Sequence, residues 1–303
     1  MTLFDRLVVH GMPLVPKFIV GRVARRYVAG ETRAAALETI RALNAEGAMC
    51  TVDVLGEEVT ERERAEAAVE EYMALLEEIA ASGLDSNISL KPTLVGLRID
   101  EAYCRDNIAR VVERARELGN FVRIDMEDHT TTDMTLRIHR ELLERFGNVG
   151  TVLQAYLHRT PADIDALLPL GPNIRLCKGI YREPRAIAWK PYETVRANYV
   201  HCLEKLLAGG AYTGIATHDE HLVWAGMTAV ARHGLGRDRY EFQMLLGVDP
   251  ELRRIILDEG HRLRVYVPYG KDWYPYSVRR LRENPTVAKH VLRAMLGMTP
   301  TPS

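Results

Sequence analysis

The side chains most able to do chemistry in this chain come directly after short apolar runs. Lys91 closes the run Asn87-Ile-Ser-Leu and is followed by a proline. A lysine there can form a Schiff base or bind an anion, although a solvated strand end would look the same. Asp125 ends a second apolar run, where a carboxylate can orient a cation or move a proton. A buried salt bridge is the structural alternative for Asp125.

Two later segments each carry several such residues. Arg175-Leu-Cys-Lys-Gly-Ile-Tyr181 places two cations and Gly179 directly after an apolar run. This suits a phosphate or an electron-rich ring, because glycine lets a ligand approach the backbone closely. Thr217-His-Asp-Glu-His221 holds two histidines, but no clear third ligand accompanies them. We therefore expect hydrogen bonding, or a helix N-terminus facing a phosphate, and no metal.

A further charged cluster lies near the C-terminal end of the chain. On a helix, Tyr276, Arg279, Arg280 and Glu283 would fall at positions i, i+3, i+4 and i+7 and share one face. Adjacent arginines can bind a carboxylate through paired hydrogen bonds. A basic surface helix is the structural alternative.

These residues are spaced along a regular alternation of short and long segments. Eight short runs have the mostly apolar composition of strands buried on both faces: Met49–Leu55, Asn87–Leu90, Phe121–Asp125, Gly150–Ala155, Ile174–Cys177, Tyr212–Ala216, Tyr240–Leu245 and Leu263–Val267. Between and after them lie amphipathic segments with helical spacing: Thr60–Ala81, Asp100–Leu118, Met134–Phe146, Pro161–Leu167, Pro191–Ala208, His221–His233, Pro250–Glu259 and Tyr276–Glu283.

This alternation predicts an α/β fold of the (β/α)8-barrel type. We expect an N-terminal helical arm over 1–45, a distorted barrel over 46–296 whose final helix covers its C-terminal face, and a loose tail over 297–303. Thr32 should cap the helix before the first strand, and Thr60 with Glu63 should form a capping box at the next one. Catalytic residues of such barrels lie at the C-terminal ends of the strands, so we expect the site there.

Composition excludes several classes of protein. The 303 residues are 47% hydrophobic and 27% charged, with a net charge of −1, so nucleic acid is not an expected partner. The four widely spaced cysteines predict reduced thiols. We expect no signal peptide, and the apolar run 14–20 is too short to span a bilayer. Cations at Lys17, Arg22, Arg25 and Arg26 leave a membrane-surface helix open beside a packed arm. G-x-G-x-x-G is absent, so a cofactor would bind the barrel itself.

Eight short motifs, in order along the chain, resemble the proline dehydrogenase family, and in particular its small monofunctional bacterial members. The motifs are Ser89-Leu-Lys91, Arg123-Ile-Asp125, Leu153-Gln-Ala-Tyr156, Arg175-Leu-Cys-Lys-Gly179, Ala216-Thr-His218, Phe242-Gln243, Tyr266-Val-Pro268 and Tyr276-x-x-Arg279-Arg280. The resemblance implies a distorted barrel that binds FAD and oxidises L-proline to Δ1-pyrroline-5-carboxylate by hydride transfer to flavin N5. It also implies a membrane quinone as electron acceptor and a cytoplasmic protein with peripheral contact at the inner face of the membrane. A separate pyrroline-5-carboxylate dehydrogenase would be a transient partner.

The resemblance also assigns roles around the substrate. Three cations would hold its carboxylate: Lys91, Arg279 and Arg280. Three side chains would wall its ring: Leu245, Tyr266 and Tyr276. Glu57 would pair with the first arginine and gate the site, Glu283 would support one of the arginines, and Tyr181 would belong to the same outer group.

Other roles concern the cofactor. Arg175 would approach the flavin N5 region, Gln154 the pyrimidine edge, and Asp125 the space between the flavin and the substrate-binding cations. Asp125 and Arg175 are therefore the expected catalytic pair. The remaining FAD contacts implied by the resemblance are Met126, Lys178, Gly179, Ile180, Thr217 and His218.

Two other functions stay open. Lys91 or Lys178 could be the nucleophile of a Schiff-base lyase or aldolase built on the same barrel. Such an enzyme would be colourless, and borohydride would trap a covalent adduct with its substrate. A non-catalytic barrel that binds an amino acid would bind proline without reducing a flavin.

Overall fold

The computed structural model describes residue 21, residues 26–274 and residues 276 and 277. Eight strands close into a barrel in sequence order, and every neighbouring pair is parallel. The strands are β1 Met49–Val54, β2 Ser86–Leu90, β3 Val122–Ile124, β4 Val149–Gln154, β5 Asn173–Cys177, β6 Tyr212–Ala216, β7 Tyr240–Leu245 and β8 Leu263–Tyr269. The predicted (β/α)8 fold is confirmed.

The helices of the described part of the chain surround this barrel. In chain order they are α1 Arg33–Ala45, α2 Arg62–Ala81, α3 Glu101–Glu117, α4 Thr132–Phe146, α5 Thr160–Leu167, α6 Tyr192–Ala208, α7 Glu220–Arg232 and α8 Pro250–Asp258. They cover the outer face of the sheet, and this is why the strands are buried on both sides and read as apolar runs. None of the described helices is long and apolar enough to cross a bilayer.

The starts of α1 and α2 test the two predicted caps. Thr32 caps α1 as expected, since its side chain accepts a hydrogen bond from the Ala35 amide. The capping box predicted for Thr60 and Glu63 is wrong. The N-cap of α2 is Glu61, whose side chain makes no cap hydrogen bond. The Val59 amide donates a hydrogen bond to the Thr93 carbonyl, in the loop after β2. This contact holds residue 59 in a non-helical conformation, so the helix begins only after it.

The barrel interior carries charged side chains as well as apolar ones. Near the N-terminal end of the barrel, Arg264 donates to both carboxylate oxygens of Glu241, at 2.7 and 3.0 Å. Burial alone would raise the pKa of Glu241, but Arg264, Tyr212 and Gln243 outweigh it and lower the pKa to about 2. A permanent buried ion pair therefore occupies the end of the barrel opposite the expected site.

Residues near both termini of the chain lie outside the part that the structure describes. These residues include most of the predicted arm over 1–45, most of the helix predicted for Tyr276–Glu283, and the tail 297–303. They also include Arg279, Arg280 and Glu283. Of the final helix, the structure describes helical residues at Trp273, Tyr274, Tyr276 and Ser277. The predicted domain limits stay a prediction.

Candidate active site

A cavity of about 610 Å³ lies where the C-terminal ends of β2 to β8 meet, at the face where barrel enzymes place their sites. Fourteen residues proposed from the sequence line it: Lys91, Asp125, Met126, Gln154, Arg175, Lys178, Gly179, Ile180, Tyr181, Thr217, His218, Leu245, Tyr266 and Tyr276. Its volume lies within the range of small-molecule and cofactor sites. Parallel strands bring these residues together because all their carboxyl ends point the same way.

Asp125 lines this cavity and accepts hydrogen bonds from several strands. Its Oδ1 accepts hydrogen bonds from Ser89 Oγ and from Arg175 Nη1, both at 2.7 Å. Its Oδ2 accepts a hydrogen bond from the Tyr266 hydroxyl at 3.1 Å. Three donors from three other strands therefore fix the orientation of one carboxylate.

Arg175 projects from β5 and is held on two sides. Its Nε donates to Gln243 Oε1 at 2.5 Å, and Gln243 in turn donates to Glu241 at 2.6 Å. The guanidinium lies 5.3 Å from the centre of the Tyr266 ring. Glu241 thus supports Arg175 through Gln243, a relationship that the sequence analysis did not include.

Lys91 pairs with a residue that the sequence analysis missed. Its ammonium lies 2.6 Å from Oδ2 of Asp53, which is fully buried in β1. Burial would lower the pKa of Lys91, but the nearby carboxylates of Asp53 and Asp125 outweigh it and raise the pKa above its usual value. The one sequence signal was an aspartate inside the otherwise uncharged strand Met49–Val54.

His218 is held in a defined protonation form. The Leu245 amide donates to its Nε2 at 2.7 Å. Since a backbone N–H only donates, Nε2 is unprotonated and the proton of the neutral ring lies on Nδ1. The same contact joins the loop after β6 to the end of β7, and it places His218 beside Leu245 in the cavity wall.

A second charged cluster lies in the wall formed by the loops after β5 and β6. Asp219 accepts hydrogen bonds from Lys178 at 3.0 Å, from Tyr192 at 2.5 Å and from Arg196 at 2.7 and 2.9 Å. Burial alone would raise the pKa of Asp219, but these three donors hold it well below its usual range. Two cations share this carboxylate, and Arg196 also contacts the exposed Glu193 at 3.3 Å, so the charges of the cluster balance. Tyr192 and Arg196 were missed because they lie on α6, outside the strand-end pattern.

The wall near β4 contains a buried acceptor that lacks a partner. Gln154 is 1% exposed and donates through Nε2 to the Glu127 carbonyl at 2.8 Å. Its Oε1 has no hydrogen-bond partner in the structure. A buried unpaired acceptor is costly, so this position suits a ligand that brings an N–H group.

Of the four remaining predicted site residues, the structure describes one, Glu57. Glu57 is exposed in the loop after β1 and is not part of the cavity wall. Arg279, Arg280 and Glu283 lie outside the described residues, so the proposed carboxylate site is only partly in view. In the part of the chain that the structure describes, no group of three or more His, Cys, Asp or Glu side chains could hold a metal ion.

The fold and the cavity define a (β/α)8-barrel protein whose C-terminal face carries a cation-rich site with an apolar, aromatic wall. A family model described as "Proline dehydrogenase" matches residues 36–293. The chain belongs to the proline dehydrogenase family. The resemblance stated from the sequence motifs is confirmed.

Individual relatives agree with this family. Proline dehydrogenase of Deinococcus radiodurans is 39% identical over 279 residues, covering 90% of each chain. Proline dehydrogenase 1 of Bacillus subtilis subsp. natto is 38% identical over 273 residues, again covering 90% of each. Among solved structures, proline utilization A (PutA) from Bdellovibrio bacteriovorus inactivated by N-propargylglycine matches with a TM-score of 0.81 and 26% identity. That match covers 92% of this chain, which spans about a third (36%) of the PutA chain.

Proposed function

We propose that this protein is an FAD-dependent proline dehydrogenase that oxidises L-proline to Δ1-pyrroline-5-carboxylate, as the first step of proline catabolism to glutamate, and passes the electrons to a membrane quinone. One observation carries the proposal: Lys91, Asp125 and Arg175 converge beside an apolar, aromatic wall in a chain of the proline dehydrogenase family. Proline is a small apolar ring that bears one carboxylate. A cation beside such a wall is the complement it needs.

Substrate binding is assigned to the cations and to the apolar, aromatic wall of the cavity. Lys91 would hold the carboxylate together with Arg279 and Arg280, which lie beyond the described residues. Three side chains of the cavity wall would pack on the ring: Leu245, Tyr266 and Tyr276. Glu57 would pair with Arg279 and gate the site, Glu283 would support one of the arginines, and Tyr181 would belong to the same outer group.

The cavity fits FAD on two observations. The orphaned Gln154 Oε1 can accept the imide N–H at the pyrimidine edge of a flavin. Lys178, a cation that lines the cavity, suits the anionic part of the cofactor. Further contacts would come from the other wall residues: Met126, Gly179, Ile180, Thr217 and His218. When bound, FAD would supply the hydride acceptor at its N5 atom.

Residues of this chain would orient the substrate ring and stabilise the negative charge that develops during the reaction. Arg175, fixed by Asp125 and Gln243, would place a positive charge where negative charge develops during the reaction. Because Asp125 already accepts three hydrogen bonds, we assign it the orientation of Arg175 and Tyr266, and the amine proton would leave to water. Packing of the wall side chains on the ring would fix the orientation of the substrate for hydride loss from C5.

The proposal extends to where the enzyme works. It would be cytoplasmic, with peripheral contact at the inner face of the membrane that holds the quinone. Its product would pass to a separate pyrroline-5-carboxylate dehydrogenase. The relatives named "Bifunctional protein PutA", matched at 28% identity, support a link between proline oxidation and a second activity.

The deciding experiment is an anaerobic absorbance spectrum of the FAD-loaded protein before and after addition of L-proline. We expect an oxidised flavin spectrum that bleaches with L-proline, whereas the flavin stays oxidised with the unreactive ring acid cyclopentanecarboxylate. A flavin that stays oxidised would refute proline as the substrate. A colourless protein that takes up no FAD, and that borohydride traps with a carbonyl substrate, would favour the lysine-based lyase.

A further inference from the structure

The buried pair of Asp53 and Lys91 joins the cavity to the barrel interior. Lys91 lines the cavity, whereas Asp53 lies behind it in β1 and does not line the wall. The backbone register pairs Asp53 with Ser89, two residues before Lys91 on the neighbouring strand. The two side chains therefore meet at 2.6 Å with almost no exposure to water.

Asp53 is itself held in place by a third residue. The hydroxyl of Tyr72, on α2, donates to Oδ1 at 3.3 Å, while Oδ2 receives the lysine. One oxygen is thus anchored to the helix layer and the other faces the cavity side. A lysine ammonium has three donors, and Asp53 takes one of them.

Charge balance at this pair depends on Asp53. Without a counter-ion, burial would disfavour the charged form of Lys91. The titratable groups that face the pair from the surrounding elements are Tyr72, Asp125, Glu127, Tyr266 and Tyr269. Of the two further carboxylates, Asp125 already pairs with Arg175, and Glu127 accepts two hydrogen bonds from Thr93. Asp53 is the one that touches the ammonium.

We propose that Asp53 is a positioning residue that keeps the Lys91 ammonium charged and directed into the cavity, so that Lys91 can bind the carboxylate of the substrate. This inference rests on the proposed function and deepens it, because it names the residue that makes carboxylate binding independent of pH. A purely structural ion pair would instead affect folding without distinguishing a charged ligand from a neutral one.

The test compares Asp53→Asn with the unaltered protein, both loaded with FAD. Binding of cyclopentanecarboxylate and of neutral cyclopentanecarboxamide is measured by calorimetry between about pH 6.5 and about pH 9.5. Neither probe has an amine, so any pH dependence belongs to the protein. We expect the unaltered protein to bind the carboxylate with a Kd that is constant with pH.

In Asp53→Asn, the Kd of the carboxylate should rise about tenfold per pH unit once Lys91 loses its proton. This Kd should level off at about tenfold to hundredfold above its value in the unaltered protein, because the remaining cations still bind the carboxylate. The carboxamide should bind equally to both proteins at every pH. Adding Lys91→Arg to Asp53→Asn should abolish the pH dependence, because a guanidinium stays protonated.

A matched control is Asp165→Asn, which breaks a surface pair of the same type with Lys205 at 2.7 Å and should change neither probe. The proposal would be overturned if Asp53→Asn bound both probes with equally weakened affinity at all pH values. It would also be overturned if the Kd of the carboxylate in Asp53→Asn stayed constant with pH. If Asp53→Asn fails to retain FAD, Asp53→Glu replaces it. Because the charge is kept, a pH-independent Kd would support the proposal and an alkaline loss would overturn it.

The outcomes separate this inference from the proposed function. If the unaltered protein neither bleaches with L-proline nor binds the ring carboxylate, the proposed function fails. If the unaltered protein does both and Asp53→Asn behaves identically, only the role of Asp53 is refuted.

Discussion

Arg175 Nη1 lies 2.7 Å from Oδ1 of Asp125, although the two residues come from β5 and the end of β3, with β4 between them. Ser89 of β2 and Tyr266 of β8 donate to the same carboxylate. One carboxylate therefore accepts hydrogen bonds from side chains of three different strands. The cation that we place beside the cofactor is fixed by this carboxylate before any ligand arrives.

Replacing Asp125 with asparagine should slow flavin reduction by proline. The charge that balances Arg175 is lost, and removing one partner of a buried pair costs about 3–5 kcal/mol. We expect the rate of flavin reduction to fall by about tenfold to hundredfold and the free energy of unfolding to fall by about 3 kcal/mol. Stopped-flow absorbance and urea unfolding measure the two effects. Asp165→Asn, which breaks the exposed pair with Lys205, is the control, and equal rates in the two variants would contradict the assignment.

Glu241→Gln should destabilise the barrel in a pH-dependent manner. The pKa of Glu241 is lowered to about 2 in the folded protein, from 4.5. Its contribution is present above about pH 4.5 and is lost as the pH falls towards 2. We expect a cost of about 3–5 kcal/mol at neutral pH that shrinks below about pH 4.

Urea unfolding across this pH range measures the cost of Glu241→Gln. Glu66→Gln, which breaks an exposed pair with Arg110, should cost less than about 1 kcal/mol. A cost for Glu241→Gln that does not change with pH would show that its charge is not what stabilises the fold.

The contribution of Glu127 to the stability of the fold should depend on pH in the opposite direction to that of Glu241. Burial raises the pKa of Glu127 from 4.5 to about 7, despite two hydrogen bonds from Thr93. The folded protein then binds this proton more tightly than the unfolded chain, so stability is lost as the pH rises from about 4.5 to 7. The expected loss is about 3 kcal/mol, and Glu127→Gln should remove it.

Urea unfolding of Glu127→Gln beside the unaltered protein, from about pH 5 to about pH 8, tests this dependence. Glu144→Gln, on the exposed side of α4, should leave the slope of stability against pH unchanged, because its side chain stays in water in both states. Parallel curves for Glu127→Gln and the unaltered protein would refute the prediction.

Gly179→Ala should weaken FAD binding. Gly179 has φ +112°, and an added Cβ would lie 2.2 Å from the ring of Tyr156. The loop would have to move, taking Lys178 and Ile180 with it, so we expect the Kd for FAD to rise by at least about tenfold. Fluorescence quenching of added FAD measures this. Gly171→Ala is the control for a positive-φ glycine without a steric clash, since its φ is +59° with nothing within 4 Å. Equal FAD affinity in both variants would show that the loop at Gly179 does not contact the cofactor.

The order and type of elements could be predicted well because their signals are local. Each strand lies between two helices and is buried on both faces, so its residues form an apolar run whatever the rest of the chain does. Tyr212–Ala216 and Tyr240–Leu245 were predicted to the residue. The cap at Thr60 failed because a distant contact, from Val59 to Thr93, decides where α2 begins.

The sequence by itself determined the barrel, the face that carries the site, and most of the side chains that line the cavity. Only the tertiary structure decided which of them act together. Asp53 and Lys91 are 38 residues apart, and Asp125 and Arg175 are 50 apart. Glu241 reaches Arg175 only through Gln243. Such pairings depend on strand register and on inward-facing positions around a closed barrel, and no local pattern of residues specifies these.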